Sequence, residues 1–218
     1  MPDQSTPIRA VLFDYGLVLS GPPDPQAWER MKLLLTANEE PFHQAYWRHR
    51  HDYDRGTLTS VAYWQAVASD LNRPIDDDQI TALNVADVDL WTQPNQEMID
   101  WAADLQRRGI ATGILSNIGD AMEIGVLDRL PWLAAFAHRT FSHRLLLAKP
   151  ELAIYRRAVE GLRVSPHEIL FIDDREENID AARKAGMTAI QYSNHNAFVR
   201  SMQSAGLAAL LPAELAKQ

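Results

Sequence analysis

A small set of polar residues in this chain could form one reaction centre. They are Asp14, Ser116, Asn117, Lys149, Asp173 and Asp174. Carboxylate oxygens are the ligands that Mg²⁺ prefers, and a hydroxyl and a lysine ammonium suit the oxygens of a phosphate group. A carboxylate beside such a cation can attack phosphorus and form an aspartyl-phosphate. The set therefore predicts metal-assisted phosphoryl transfer, provided that the fold brings its members together.

Each of these residues also has a simpler structural explanation. An aspartate at the end of a strand is a common turn residue, and a serine–asparagine pair before a helix can cap free backbone N–H groups. A lysine before a proline often marks an exposed helix start. Two adjacent acids suit a helix N-terminus, although neighbouring carboxylates repel each other and usually need a cation. Taken singly, none of the residues identifies a function.

Short apolar runs precede most of these residues and predict buried strands. The runs are residues 8–12, 110–115, 168–172 and 188–192, with a weaker strand at 139–142. Helical spacing occurs at residues 96–108, 120–130, 150–162 and 177–185, and again from about Ala197. Strands that alternate with such helices indicate crossover units, so we predict an α/β fold with a doubly wound parallel sheet. Ligands bind outside the carboxyl ends of such strands, where these polar residues fall.

Residues 21–93 follow a different pattern. Pro22, Pro23 and Pro25 interrupt the chain, and the residues that follow show helical spacing without a convincing strand. This pattern predicts an all-helical unit inserted after the first strand. We therefore expect two domains, with an α/β core at residues 1–20 and 94–218 and a helical cap at residues 21–93.

The composition excludes several classes of protein. The 218 residues include 21 basic and 29 acidic side chains, a net charge of −8, and no cysteine. An acidic chain argues against nucleic acid as the main partner, because phosphate backbones bind basic surfaces. No run approaches the roughly eighteen apolar residues of a membrane span, and residues 1–7 lack a signal-peptide pattern. We expect a cytoplasmic protein, either a monomer or a homodimer, that does not bind membranes.

Four short motifs, in this order along the chain, resemble those of the haloacid dehalogenase-like (HAD) hydrolase superfamily. They are Val11-Leu12-Phe13-Asp14, Leu115-Ser116-Asn117, Lys149-Pro150-Glu151, and Phe171-Ile172-Asp173-Asp174 with Asn178. The resemblance extends over essentially the whole chain, because the helical segment falls where one branch of this superfamily inserts its cap. It implies a Rossmann-like core and a phosphatase that acts on a small phosphorylated metabolite.

The resemblance implies a metal site with Mg²⁺ as the cofactor. Asp14 would be both the nucleophile and a magnesium ligand, and Gly16 would supply a backbone carbonyl. Asp174 would bind the cation directly, whereas Asp173 would act mostly through bound water.

The resemblance also implies a phosphate site beside the metal. Ser116 and Asn117 would hold the phosphoryl group together with Lys149, which would also neutralise charge during catalysis. Asn178 would help to position the fourth loop.

One departure from the superfamily pattern affects catalysis. Its phosphatases usually carry a second aspartate two residues after the nucleophile, which protonates the leaving group, but Gly16 stands there in this chain. General acid–base catalysis is worth about 10²–10⁴ in rate. The leaving group could have a low pKa, as in an anomeric sugar phosphate or an acyl phosphate; a cap residue could donate the proton; or turnover could be lost. The opening Phe13-Asp14-Tyr15-Gly16 also resembles glucose-1-phosphate phosphatase-like members, which favours a sugar phosphate.

Residues 43–55 form a basic, histidine-rich stretch of the predicted cap. One interpretation is a substrate-facing helix in which His49, Arg50 and Tyr53 attract the anion or donate a proton, with His51 as a further donor. The alternative is a solvated helix face with Trp47 packed inward.

Three other functions are compatible with parts of the pattern. A haloacid dehalogenase would use the same nucleophile on carbon without a metal, although the Asp173–Asp174 pair would then leave carboxylates uncompensated. A non-catalytic or weakly active phosphate-binding protein would explain Gly16. A phospho-acceptor signalling domain shares the residue types, but its acidic pair follows the first strand rather than the fourth motif.

Overall fold

The chain folds around a five-stranded parallel sheet in a computed structural model that describes residues 8–216. The strands are β1 (Ala10–Phe13), β2 (Ala111–Ser116), β3 (His138–Phe141), β4 (Ile169–Asp173) and β5 (Thr188–Gln191). Their order in the sheet is β3-β2-β1-β4-β5. The predicted doubly wound α/β fold is therefore confirmed. The expectation about a signal peptide at residues 1–7 lies outside the described residues.

The central strand is apolar on both faces because helices cover the sheet on both sides. Val11 and Phe13 face one hydrophobic core, where the Phe13 ring packs edge-on against Trp101 with the ring centroids 5.3 Å apart. Leu12 faces the opposite core together with Tyr155. All these side chains are buried, so burial fixes the register of the strand.

The register of the sheet determines where the polar residues emerge. Phe13 in β1 pairs with Ile114 in β2 and with Ile172 in β4. The next residue, Asp14, donates its backbone N–H to the Ile172 carbonyl over 2.8 Å. The carboxyl ends of β1, β2 and β4 therefore meet at one edge, and the residues that follow them share that edge.

Six α-helices of the described residues surround or follow the strands of the core. They are α6 (Gln96–Arg107), α7 (Asp120–Arg129), α8 (Ser142–Leu145), α9 (Leu152–Leu162), α10 (Glu176–Lys184) and α11 (His195–Ser204), of which α8 is a single turn. Over the described residues, no helix has both the length and the apolar character that a membrane crossing requires.

Five helices occupy the predicted cap segment. They are α1 (Pro25–Leu34), α2 (Glu39–Arg48), α3 (Arg50–Arg55), α4 (Ser60–Asp70) and α5 (Asp77–Leu90). Side chains cap the N-termini of several of these helices. Asp24, for example, accepts from the backbone N–H of Gln26 over 2.9 Å. The two connections to the core run antiparallel, and the Gly21 N–H donates to the Gln93 carbonyl over 2.6 Å. The division at residues 20 and 93 stays a prediction of the sequence.

The cap contacts the core through closely packed groups. The Tyr53 ring stacks on Tyr63 with the ring centroids 4.7 Å apart, and its hydroxyl accepts from the Met122 N–H over 3.3 Å. Gly119, just before α7, lies against the same ring, because a Cβ built there would approach Tyr53 to 2.2 Å. The Ser60 N–H donates to the Asp120 carboxylate over 3.0 Å. The cap is thus packed against the core at the ring of Tyr53.

Gly119→Ala tests this packing. The new methyl group would overlap the buried Tyr53 ring, and overpacking of this kind costs about 1–3 kcal/mol of unfolding free energy. Urea denaturation followed by fluorescence measures the loss. Gly16→Ala is the matched control, because a Cβ at Gly16 meets nothing within 4 Å. Equal stability of the two variants would contradict the packing described here.

Candidate active site

A cleft of about 440 Å³ opens between the carboxyl edge of the sheet and the cap. The residues predicted for the reaction centre that line it are Asp14, Gly16, Ser116, Asn117, Lys149 and Asp174. Asp173 is completely buried beneath them. The structure therefore brings the predicted core residues to one place, although their catalytic roles stay predictions.

A buried lysine joins the two acidic motifs. The Lys149 ammonium lies 2.7 Å from Oδ1 of Asp14 and 2.7 Å from Oδ2 of Asp173. Burial alone would lower the pKa of Lys149, but the two carboxylates raise it, so the ammonium stays charged. Removing the lysine would leave two buried carboxylates without their cation. This ion triad therefore ties the loop after β1 to the end of β4.

Asn117 holds the backbone on which Lys149 stands. Its side-chain oxygen accepts from the Lys149 N–H over 2.8 Å, and its Nδ2 donates to the Lys149 carbonyl over 3.0 Å. The resemblance assigned this side chain to the phosphoryl group, whereas the structure shows it engaged with the lysine loop. Ser116 at the end of β2 is buried and lines the cleft.

The two adjacent acids after β4 have different surroundings. Oδ1 of Asp173 accepts from the Arg175 N–H and from Nδ2 of Asn178, both over 2.9 Å, and its Oδ2 contacts Lys149. Protein donors thus engage both of its oxygens. Asp174 is half-buried and faces the cleft. The neighbouring acids therefore differ in their availability to a ligand.

The donor set fits a divalent cation. Asp14, Asp173 and Asp174 each offer a carboxylate oxygen, and these atoms lie within 4.8 Å of one another. Burial raises the pKa of Asp14 to about 8, Lys149 lowers it, and the other two carboxylates raise it. Burial and the charge of Asp173 likewise raise the pKa of Asp174. The three carboxylates carry more negative charge than the single ammonium neutralises. Mg²⁺ would supply positive charge and accepts such oxygen ligands.

The turn after β1 presents Asp14 to the cleft. Oδ1 of Asp14 accepts from the Tyr15 N–H over 2.7 Å, so the carboxylate has a fixed orientation. Gly16 follows with φ −63°, and space is open around the position of its missing Cβ. A larger residue would fit there, so packing does not explain the glycine. Leu17 comes next with φ +57°, a left-handed conformation that residues with a Cβ seldom adopt.

Arg50 and His51 are the predicted cap residues that line the cleft. Arg50 is held by other cap residues. Its guanidinium is buried, with Nε 2.9 Å from Oδ1 of Asp54 and Nη1 3.0 Å from Oδ1 of Asp87. It also donates to the Tyr46 hydroxyl. Arg50 is thus committed to a network inside the cap, which limits its capacity to bind a substrate anion.

The other two cap candidates lie elsewhere. His49 is hydrogen-bonded to Asp70 over 2.9 Å, and Tyr53 is buried against the core. Neither of them lines the cleft. The interpretation of Trp47 as an inward-packed residue is wrong, because this residue is 46% exposed and lines the cleft.

Sequence reasoning did not assign a role to several cleft residues. Asp54 lines the cleft from the cap, and burial raises its pKa to about 6 although the Arg50 guanidinium lowers it. Leu17 and Trp91 also line the cleft. No motif identifies these residues, since periodicity does not reveal which side of a cap helix or loop faces the core.

One family model and several curated hydrolases are similar to this chain. A family model for haloacid dehalogenase-like hydrolases matches residues 8–186. The bifunctional epoxide hydrolase 2 of Sus scrofa is 24% identical over 213 residues, which are 90% of this chain but 38% of that protein. The sesquiterpene phosphatase AstK of Aspergillus oryzae is 23% identical over 192 residues, or 87% of this chain and 92% of that protein. The chain therefore spans well under half the length of the epoxide hydrolase.

Solved structures show the same fold. A HAD family enzyme from Bacteroides thetaiotaomicron has a TM-score of 0.73 at 22% identity and covers 86% of this chain and 95% of that one. Its complex with magnesium and inorganic phosphate has a TM-score of 0.68, also at 22% identity, over 85% and 94% of the two chains. The L-2-haloacid dehalogenase from Xanthobacter autotrophicus, with chloropropionic acid covalently bound, has a TM-score of 0.64 at 19% identity over 96% and 87%.

The different surroundings of the acidic pair lead to a test of stability. Asp173→Ala should lower the free energy of unfolding by about 1–3 kcal/mol for each buried donor that loses this acceptor, namely Nδ2 of Asn178 and the Lys149 ammonium, which keeps Asp14. Asp174→Ala should change stability little or raise it, because it relieves repulsion within the carboxylate cluster. Urea unfolding without divalent cations compares the two variants. Equal losses would contradict the distinction between the neighbouring acids.

Proposed function

The chain belongs to the haloacid dehalogenase-like hydrolase family, and we propose that it is a magnesium-dependent phosphomonoester hydrolase. The observation that carries this proposal is the convergence of Asp14, Lys149 and Asp174 on one cleft. A metal-assisted phosphoryl transfer needs a nucleophile, a fixed cation and a divalent cation site together. The phosphatase among the relatives and the magnesium and phosphate complex of the Bacteroides enzyme support the same chemistry.

The proposed metal site uses carboxylates and a backbone carbonyl of residues that line the cleft. Asp14, Asp174 and the Gly16 carbonyl would hold Mg²⁺, with Asp173 acting through water because protein donors already engage its oxygens. When bound, the cation would supply positive charge to the phosphoryl oxygens and lower the repulsion between nucleophile and substrate.

The proposed nucleophile is Oδ2 of Asp14. Its Oδ1 is held by the Tyr15 N–H and by Lys149, which orients Oδ2 as the atom that meets phosphorus. Attack forms an Oδ2–phosphorus bond and breaks the bond to the leaving-group oxygen. Water then hydrolyses the aspartyl-phosphate and releases phosphate. Lys149 and the Ser116 hydroxyl would contact the phosphoryl oxygens in both steps.

The proton for the leaving group has no donor at position 16. In this proposal a leaving group of low pKa departs without a strong acid, as in an anomeric sugar phosphate or an acyl phosphate. A cap residue on the cleft is the other possible source. Asp54 and the predicted donor His51 both line the cleft, whereas the other predicted donors, His49 and Tyr53, do not.

The function is tested by a screen of phosphorylated compounds with Asp14→Asn as the blank. We expect Mg²⁺-dependent phosphate release from p-nitrophenyl phosphate, acetyl phosphate or a sugar phosphate by the wild type. Asp14→Asn should lower kcat by roughly 10⁴-fold or more, because an amide is not a competent nucleophile. Asp78→Asn, an exposed acid-to-amide change in the cap, is the matched control and should keep full activity.

Two results would contradict this function. Retained activity in Asp14→Asn would remove that residue from the nucleophilic role. Mg²⁺ binding without turnover of any phosphomonoester would favour a non-catalytic phosphate-binding protein.

A metal-independent haloacid dehalogenase is the second candidate, because the dehalogenase fold with its covalently bound substrate is similar to this one. The clustered carboxylates argue against it, since a metal-free site would leave their charges uncompensated. Halide release from 2-chloropropionate, measured with and without chelator, separates the two functions. Release that persists in EDTA would support the dehalogenase.

Gly16→Asp tests the missing acid. Space around Gly16 is open and its φ is −63°, so an aspartate fits without strain. We expect kcat toward alkyl phosphates to rise by about 10²-fold or more, because their leaving groups need protonation. The kcat toward p-nitrophenyl phosphate should change much less. If both substrates respond equally or not at all in a folded variant, the proton already comes from another residue.

A further inference from the structure

The cleft has several apolar lining residues besides the carboxylates and the polar cap residues Arg50, His51 and Asp54. Leu17, Trp47, Trp91, Ile118 and Met122 line it. Resting on the proposed function, we propose that the substrate is a phosphomonoester with an elongated, uncharged apolar leaving group. That group would extend from Asp14 between Trp47 and Trp91 into the cap.

A second cavity shares two of its lining residues with the cleft. It has a volume of about 280 Å³, and Trp47 and Trp91 line it as they line the cleft. Pro23, Trp28 and Leu90 contribute apolar surface on its far side. The two cavities therefore share the same pair of tryptophans, and in this proposal an apolar chain that leaves the cleft passes them to reach the second cavity, whose lining also includes Asp24 and His43.

Two apolar side chains that line the cleft are partly exposed to solvent, which is energetically unfavourable. Leu17 is 39% exposed and has φ +57°, a backbone conformation in which glycine is the usual residue. Trp47 is 46% exposed although it is a large aromatic residue. Trp47 packs edge-on against Tyr46 with the ring centroids 5.0 Å apart, but this contact leaves almost half of the side chain exposed. Contact with an apolar ligand that begins at Asp14, three residues before Leu17, accounts for the exposure of both side chains.

The polar groups of the cap favour an apolar chain over a hydroxylated one. Two of the three polar cap side chains on the cleft, Arg50 and Asp54, form an ion pair over 2.9 Å, and the third, His51, is exposed. Sugar hydroxyls would have to compete with that ion pair. The rim of the second cavity carries Glu29 and Glu39, which would repel an anionic group at the far end of the substrate. A neutral hydrocarbon chain meets neither obstacle.

The test uses 4-alkylphenyl phosphates with alkyl chains of increasing length. This series keeps the leaving-group pKa nearly constant, so the missing acid at Gly16 does not influence the comparison. We expect kcat/KM to rise about three- to fourfold for each methylene that becomes buried, mainly through KM. A chain that ends in a carboxylate should lose this gain. Glucose 1-phosphate and glucose 6-phosphate provide the comparison with hydroxylated leaving groups.

Two variants locate the effect. Leu17→Gly removes the side chain while suiting the φ of +57°, and Trp47→Ala removes the exposed indole. Both should flatten the dependence of kcat/KM on chain length. Leu33→Ala is the control, since Leu33 is 76% exposed on α1 and lines neither cavity; it should keep the dependence of the wild type.

Binding provides a second readout that does not need turnover. Titration calorimetry of Asp14→Asn, with and without Mg²⁺, should show tighter binding of the octylphenyl than of the ethylphenyl phosphate. Turnover or binding that is independent of chain length, or a preference for the sugar phosphates, would overturn the apolar-chain proposal and leave the phosphatase intact. Absence of turnover for every phosphomonoester would overturn the proposed function instead. In that case the titration still tests the apolar-chain proposal, which equal binding of the octylphenyl and ethylphenyl phosphates would overturn.

Discussion

The ion triad of Lys149 with Asp14 and Asp173 is the interaction on which the rest of the site depends. A buried ammonium has to be compensated, and it lies 2.7 Å from each carboxylate. Asp14 follows β1, Asp173 is the last residue of β4, and Lys149 precedes α9. The triad therefore holds three separate parts of the core together. Asn117 completes the arrangement by bonding both backbone groups of Lys149. The Asp14 carboxylate is therefore oriented before any ligand arrives, which is the electrostatic preorganisation that the proposed phosphoryl transfer requires.

The cap is connected to the same network. Arg55 of α3 forms an ion pair with Glu151, two residues beyond Lys149, and Glu151 also accepts from the Ala148 N–H over 3.0 Å. Tyr53, two residues before Arg55, packs on Gly119 in the loop between β2 and α7. One helix of the cap thus contacts two of the loops that form the site. Its position above the carboxylates is set by packing and ion pairs, so the shape of the cleft is largely formed in the absence of substrate.

The sequence was sufficient for the residues of the core but insufficient for those of the cap. Strand ends converge in a parallel sheet whatever the details of packing, so Asp14, Lys149 and Asp174 could be placed together from their positions after apolar runs. Asn117 has the expected location but bonds to the backbone, a contact that depends on loop geometry. In the cap, His49 and Arg50 are neighbours in sequence, yet one faces Asp70 and the other the cleft. Helical periodicity gives relative directions around an axis, and the orientation of that axis toward the core comes from packing contacts distant in sequence.

Gly16 and the apolar path restrict the substrate more narrowly together than separately. Without an acid at position 16, the bond to the leaving group breaks readily if the departing oxygen is stabilised by itself, as in an aryl or acyl phosphate. The path past Trp47 and Trp91 favours a hydrocarbon chain attached to that oxygen. A simple alkyl phosphate has the hydrocarbon chain but lacks a leaving oxygen that is stabilised by itself. It would therefore need a proton from the cap. Asp54 is one candidate for that task, because it lines the cleft and burial raises its pKa to about 6, so that a minor fraction of it carries a proton at neutral pH. Its ion pair with Arg50 opposes this role, and the balance between burial and that pair decides whether alkyl phosphates are substrates.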